Sequence, residues 1–285
     1  MKKVVKPNIE LSDVFNACIS NFRRGSNLKE KFESAKDDIF NSAGFFTGLA
    51  EQHETFKMVE KVIHSNTVTS NELIKLYTNK FVPENSPGRK YYDEILSAPK
   101  NGICPLCGER IVHTLDHYLN KSTFPSLSIA PENLIPSCRD CNTDKLDYTF
   151  TCKEDETLHP YYDDIGDVQW LECIVNKTDP ISFTFKVRDI VGCDITLQKR
   201  IEKHFNVYKL QNLYSSKAAQ EMSEIETKLK KLYTTIGIVA VKIFIQEEIE
   251  SRSVSGVNNW RIVFYTGLFN SNWFLTEWIS GRYLY

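Results

Sequence analysis

Two Cys-x2-Cys pairs constrain this chain more than any other feature of its sequence. The pairs are Cys104/Cys107 and Cys138/Cys141, and thirty residues lie between them. Four thiolates fill the tetrahedral shell of a structural zinc ion and leave no position for a reacting water. Gly108 follows the first pair directly, where a tight turn needs backbone freedom. The spacing therefore predicts a zinc site that stabilises the fold and is not itself catalytic.

The composition indicates the class of protein that carries this site. The chain has 285 residues, of which 41% are hydrophobic and 25% charged, as in an ordinary globular protein. No apolar run follows the basic start, and the longest apolar stretch, 236–245, is too short for a membrane span. Grouped cysteines in a chain of this size favour metal binding in a reducing compartment. We therefore expect a soluble, cytoplasmic protein with no membrane partner.

The charge gives no support of its own to nucleic-acid binding. The formal net charge is −2, and acidic residues slightly outnumber basic ones around the cysteines. Affinity for phosphate usually depends on clustered lysine and arginine. A nucleic-acid role must therefore rest on the chemistry of the site, and a protein partner is expected to supply positive surface.

The residues before the cysteines follow a helical pattern. Residues 9–98 place apolar side chains at three- and four-residue spacing, as in Leu73, Leu76 and Tyr77, with Ser70 or Asn71 as the expected N-cap. Residues 110–117 alternate too loosely for the pattern alone to assign a strand. We expect a mostly helical N-terminal region that ends at residue 98.

The residues after the cysteines predict a hairpin and then more helices. Residues 181–187 alternate apolar and polar side chains, and 170–175 supplies a matching partner strand. The helical pattern returns at Ile195, continues through one long stretch over 215–250, and ends in an aromatic-rich helix after residue 258.

The loop between the cysteine pairs contains residues suited to a second, catalytic cation. Asp116 and His117 are adjacent, and Asn133 and Asn142 add amide oxygens. A carboxylate is a ligand that magnesium prefers, and a neutral histidine is the usual general base near neutral pH. Asn142 directly follows Cys141, so zinc geometry would fix its position. A purely structural zinc ribbon has no need of this set.

These residues, "LDHYLNKSTFP" and "ENLIPSCRDCNTDK", resemble the HNH endonuclease motif in its His-Asn-Asn form. The resemblance covers about a sixth of the chain, and it implies a ββα-metal fold built around one divalent cation. It also implies that His117 is the general base and that Asp116 and Asn142 bind magnesium or manganese. Asn133 is then the residue that orients His117 through backbone hydrogen bonds. An asparagine at the last position and the lack of two glycines after His117 are variations on the family pattern.

Four further residues are candidates for supporting roles at the same site. By the resemblance, Lys145 is placed to contact a phosphate, and Lys121 is a second candidate for substrate binding. His113 and His159 are candidates for supporting the metal site. The alternative interpretation of His113 is a packed or exposed histidine, and that of His159 is a histidine on a surface loop.

The expected fold class is α+β: a central zinc-stabilised ββα-metal (HNH) module between mostly helical N- and C-terminal regions. The expected regions are 1–98, 99–160 and 161–285. The expected activity is metal-dependent hydrolysis of phosphodiester bonds, and DNA is the expected substrate. The sequence leaves two alternatives open, the same fold cleaving RNA such as tRNA, and a non-catalytic zinc module that binds nucleic acid or protein.

A partner is suggested by two segments outside the motif. Residues 158–165 and 258–269 resemble flanks of nucleases from bacterial anti-phage systems. In the Septu type of system, an HNH protein works beside an ATPase of the ABC/SMC kind. The resemblance therefore implies a defence effector with nucleic acid and an ATPase as its partners.

Overall fold

Hydrophobic residues from the N-terminal helices and from the cysteine region pack into one core. Phe15, Phe32 and Ile95 meet Leu115 and Leu134, which lie between the two cysteine pairs.

The structure is a computed structural model that describes residues 1–23, 26–59 and 68–281. Its two compact units are Met1–Asp164 and Ile165–Tyr285.

The first unit combines six α-helices with a two-stranded antiparallel sheet in the part of it that the structure describes. Its elements are α1 (Leu11–Ser20), α2 (Asn27–Ser34), α3 (Lys36–Glu51), α4 (Ser70–Leu76), α5 (Arg89–Ser97), β1 (Thr114–His117), β2 (Leu134–Ser137) and α6 (Arg139–Lys145). Because α5 packs against both strands, the boundary expected at residue 98 lies inside this unit. The boundary expected at residue 160 lies four residues before its end.

The helix predicted around Leu73 and Leu76 is present as α4, but its N-cap is a different residue. Thr69 is the N-cap of α4, where its hydroxyl accepts from the Glu72 backbone N–H and the Glu72 carboxylate accepts from Thr69 N. This reciprocal capping box satisfies two N–H groups that the first turn leaves without partners. The prediction of Ser70 or Asn71 as the cap was therefore wrong, since Ser70 already lies inside the helix. A π-helical turn, Tyr77–Phe81, continues α4 towards the cysteine region.

The second unit contains the predicted hairpin. Its elements are β3 (Leu171–Asn176), β4 (Ser182–Val187), α7 (Ile195–Val207), α8 (Leu210–Thr235), α9 (Ile238–Ser251) and α10 (Trp260–Asn270). The strands pair in antiparallel register from Leu171 with Val187 to Asn176 with Ser182. Phe183 and Phe185 are buried on one face, which confirms the alternation in the sequence.

The long helical stretch expected over 215–250 is two helices. The chain breaks between α8 and α9 at Gly237, whose φ is +102°. An L side chain rarely adopts that backbone conformation, so glycine permits the break. Throughout the described residues, no helix has both the length and the apolar composition that crossing a membrane requires.

Candidate functional site

The four cysteines lie together, as their spacing predicts. Cys104, Cys107, Cys138 and Cys141 are buried, and their sulfur atoms all lie within 4.8 Å of one another. The backbone N–H of Arg110 donates to Cys107 Sγ at 3.4 Å, and that of Cys141 donates to Cys138 Sγ at 3.4 Å. Such donors stabilise thiolates, which are the form that binds metal. The cluster can therefore hold a structural metal such as zinc.

The two cysteine pairs reach the cluster from different local structures. The first pair lies on a turn in which Gly108 N donates to Cys104 O at 2.8 Å and Gly108 has a φ of +66°. The second pair lies at the start of α6, where Cys138 is the N-cap. A metal in the cluster would thus tie this turn to the helix that follows β2.

The strands β1 and β2 place Asp116 and His117 next to this helix. They pair in antiparallel register, with Asp116 opposite Ile135 and His117 opposite Leu134. Both residues are buried, at 5% exposure each. The order along the chain is strand, strand, helix, and the helix begins at the second cysteine pair.

Asn133 holds together the loop that joins the two strands. Its Oδ1 accepts from Leu119 N at 2.8 Å, and its Nδ2 donates to Leu119 O at 3.0 Å and Leu127 O at 3.4 Å. Its own carbonyl accepts from Tyr118 N at 2.8 Å. These bonds fix the backbone directly after His117, and Asn133 itself is fully buried.

His117 is held as a neutral imidazole with one nitrogen available to accept a proton. Its Nε2 lies 2.9 Å from Ser128 O and donates there, which leaves the lone pair on Nδ1. The Tyr77 ring packs edge-on against the imidazole at 4.6 Å between centroids. Burial, and then the charge of Lys121, lowers the pKa of His117 to about 3. The ring is therefore uncharged at neutral pH.

A cavity of about 260 Å³ brings several of the predicted residues together. Its lining residues are Tyr77, Thr114, Leu115, Asp116, His117, Asn120, Lys121, Asn142, Leu146 and Asp147. The set includes the expected base, His117, both expected cation ligands, Asp116 and Asn142, and one candidate phosphate ligand, Lys121. The carboxylate of Asp116 and the amide oxygen of Asn142 are ligands of the type that magnesium and manganese prefer.

Lys145 lies behind the cavity, against the expected cation ligand. Its side chain is 1% exposed, and Nζ donates to His117 O at 2.6 Å. The same ammonium lies 3.4 Å from Asp116 Oδ1 and 3.3 Å from Oδ2. Burial raises the pKa of Asp116, and the Lys145 charge opposes that shift. In the structure this lysine thus contacts a carboxylate, whereas the resemblance implied a contact with phosphate.

The two supporting histidines lie outside the cavity lining. His113 is exposed just before β1, and its backbone N–H donates to Ser137 O at 2.9 Å. His159 is buried among aromatic rings, with its ring centroid 4.3 Å from that of Tyr118 and 4.8 Å from that of Tyr162. His113 is thus the exposed histidine of its alternative interpretation, whereas the surface-loop alternative for His159 was wrong, because that residue is buried.

Six of the ten residues that line the cavity, Asn120 and Tyr77 among them, were missing from the sequence-based candidates. Asn120 accepts from Thr123 N at 2.8 Å and donates to Asp147 O at 3.2 Å, so it shapes the rim of the cavity. An asparagine followed by Ser122 and Thr123 is a turn signal that could have indicated this role. Tyr77 comes from a distant helical segment, and no local pattern connects it with His117.

Comparisons with known proteins give a similarity without a stated activity. The chain is 27% identical over 239 residues to protein ea31 of Escherichia phage lambda, which covers 80% of this chain and 79% of that protein. The similar region is longer than either compact unit, so it includes residues of both. No protein-family model matches the chain, and no solved structure matches it.

Proposed function

We propose that the protein is a metal-dependent endonuclease that hydrolyses phosphodiester bonds in DNA. The observation that carries the proposal is the cavity that brings a buried neutral histidine, a carboxylate and an amide oxygen together beside a four-thiol cluster. The resemblance of residues 115–145 to the HNH motif supports the same activity.

Each residue of the cavity has a chemical task in this proposal. His117 accepts the proton of the attacking water at Nδ1, because Nε2 is engaged with Ser128 O. Asp116 and Asn142 would hold magnesium or manganese, and this ion would supply Lewis-acid stabilisation of the phosphate. Lys121 lies half-buried in the lining and binds a phosphate oxygen.

The remaining parts of the site support these groups. Asn133 fixes the backbone after His117, so the base keeps one orientation relative to the cavity. The four cysteines would hold zinc, which fixes the start of α6 and with it Asn142. In the proposed setting the protein is the nuclease of a cytoplasmic anti-phage complex. There an ATPase partner supplies the positive surface that a chain of net charge −2 lacks.

The test is cleavage of plasmid DNA and total RNA by the wild type and His117→Ala, each with magnesium, manganese or EDTA. We expect DNA cleavage that requires the cation and falls by about 10²- to 10⁴-fold in the variant. His113→Ala is the matched control, since this exposed histidine lies four residues earlier and outside the cavity lining. The zinc content of each protein checks that the module is intact.

Four results would contradict the proposal in different ways. Cleavage of RNA alone would keep the chemistry and replace the substrate. Equal cleavage by His117→Ala and the wild type, or cleavage that survives EDTA, would remove the proposed site. If no nucleic acid is cut even with the ATPase partner and nucleotide present, the chain is a zinc module that binds without catalysis.

A further inference from the structure

The cavity and the groups behind it carry as many positive as negative side-chain charges. Asp116 and Asp147 line the cavity together with Lys121, and Lys145 contacts Asp116 from behind. Asp116 and Asn142 offer magnesium only one carboxylate and one amide. Such an ion usually completes its coordination with water and with phosphate oxygens of the substrate. A neighbouring ammonium weakens such a set further, because like charges repel.

From this arrangement we infer that Lys145 makes cation binding depend on the nucleic acid. The lysine offsets the charge of Asp116, so the free protein holds the cation weakly. The phosphodiester then supplies the missing negative charge, and the cation is retained only when substrate is present. This inference rests on the proposed function for the cation at Asp116, and it gives Lys145 a positioning and charge-balancing role in place of a contact with phosphate.

The surroundings of Lys145 keep its charge in place. The ammonium donates to His117 O at 2.6 Å as well as contacting both oxygens of Asp116. Its side chain is 1% exposed, so it has little access to solvent. Lys145 is also the last residue of α6, whose start bears two of the four clustered cysteines. An arriving cation would therefore share the carboxylate with this ammonium.

A direct test measures manganese binding to the zinc-loaded full chain by electron paramagnetic resonance at pH 8. The Lys145→Met variant removes the charge and keeps most of the side-chain length, and Lys145→Arg keeps the charge. Without nucleic acid, we expect Lys145→Met to bind manganese at least about tenfold more tightly than the wild type. Lys145→Arg should stay close to the wild type. Manganese binding by Lys145→Met that equals the wild type or is weaker overturns the inference.

A second measurement needs no substitution at Lys145. Manganese affinity of the wild type is compared with a short DNA duplex and with a peptide nucleic acid duplex of the same sequence, which has no phosphates. We expect DNA to tighten protein-dependent manganese binding at least about tenfold and the neutral duplex to leave it unchanged. The Asp116→Ala variant with DNA gives the background from manganese bound to DNA alone. Equal effects of the two duplexes overturn the inference.

The two proposals can fail separately. If DNA is cleaved as expected while Lys145→Met binds manganese like the wild type, only the role of Lys145 is removed. If no cleavage occurs while Lys145→Met binds manganese more tightly, the charge argument stands and the nuclease proposal fails. If neither protein binds manganese with or without DNA, both proposals fail.

Discussion

The four-cysteine cluster and the neighbouring cavity each bring buried polar side chains together, yet the two are stabilised in different ways. The four thiols lie within 4.8 Å of one another and need a metal ion to balance them as thiolates. The cavity residues already have protein partners: His117 with Ser128, Asp116 with Lys145, and Asn120 with Asp147. The comparison teaches that a metal in the cluster would contribute to folding, whereas the cavity residues are already held in place by other protein groups.

The largest expected effect comes from breaking the cluster. Cys138→Ser removes one thiol and keeps a side chain suited to the N-cap of α6, so the change tests the metal ligand alone. We expect the zinc content to fall and the unfolding free energy to drop by about 5 kcal/mol or more. Metal analysis and urea unfolding measure the two effects. Cys152→Ser is the control, because this exposed cysteine lies outside the cluster. Equal stability of the two variants would show that the cluster is not a structural metal site.

Two asparagines separate folding from chemistry within the cavity region. Asn133→Ala loses several buried hydrogen bonds, and we expect a loss of about 3 kcal/mol in urea unfolding. Asn142→Ala affects a half-buried cavity residue, and we expect less than about 1 kcal/mol together with loss of cation-dependent cleavage. If Asn142→Ala cost as much stability as Asn133→Ala, the cavity would be part of the folding machinery after all.

The buried His117 gives the cavity region a pH dependence of its own. Its pKa is about 3 in the folded protein and about 6.5 when unfolded, so the unfolded chain binds the proton first as pH falls. The stability of the folded state is therefore unaffected by this group above pH 6.5 and decreases progressively from there towards pH 3.

Between pH 7 and pH 5, we expect the wild type to lose about 2 kcal/mol more unfolding free energy than His117→Gln. Urea unfolding of both proteins at the two pH values measures this difference. Protonation of the cysteine cluster affects the unfolding free energy of both proteins equally, so it cancels in the difference between them. An identical pH dependence would mean that His117 is solvated.

The smallest expected effect is at Lys121, which is half-buried in the cavity lining. Lys121→Met should leave the unfolding free energy within about 0.5 kcal/mol of the wild type. We expect DNA affinity to weaken and the slope of its logarithm against the logarithm of salt concentration to fall by about one, as for the loss of one phosphate contact. Fluorescence anisotropy at several salt concentrations measures the slope. An unchanged slope would place the substrate phosphates elsewhere.

Local sequence was sufficient for much of the candidate site. The cysteine cluster was predictable because two Cys-x2-Cys pairs in a large chain indicate a metal site and not a set of disulfide bonds. Asp116, His117 and Asn142 could be selected because a carboxylate, a histidine and an amide lie between or directly after the cysteine pairs, in the order that resembles the HNH motif. The hairpin over 171–187 was predictable for a similar reason, since strand alternation is a local pattern.

Tertiary structure alone decided which distant groups meet. The Tyr77 ring packs against that of His117, although the two residues lie forty positions apart, and helical periodicity does not specify that contact. The side chain of Lys145 contacts Asp116 because it is buried at the end of α6, where the ammonium needs a buried negative partner. The sequence by itself determined which chemical groups are available near the cysteines. Packing determined which of them face the cavity and which balance its charge, because burial depends on contacts between segments far apart in the chain.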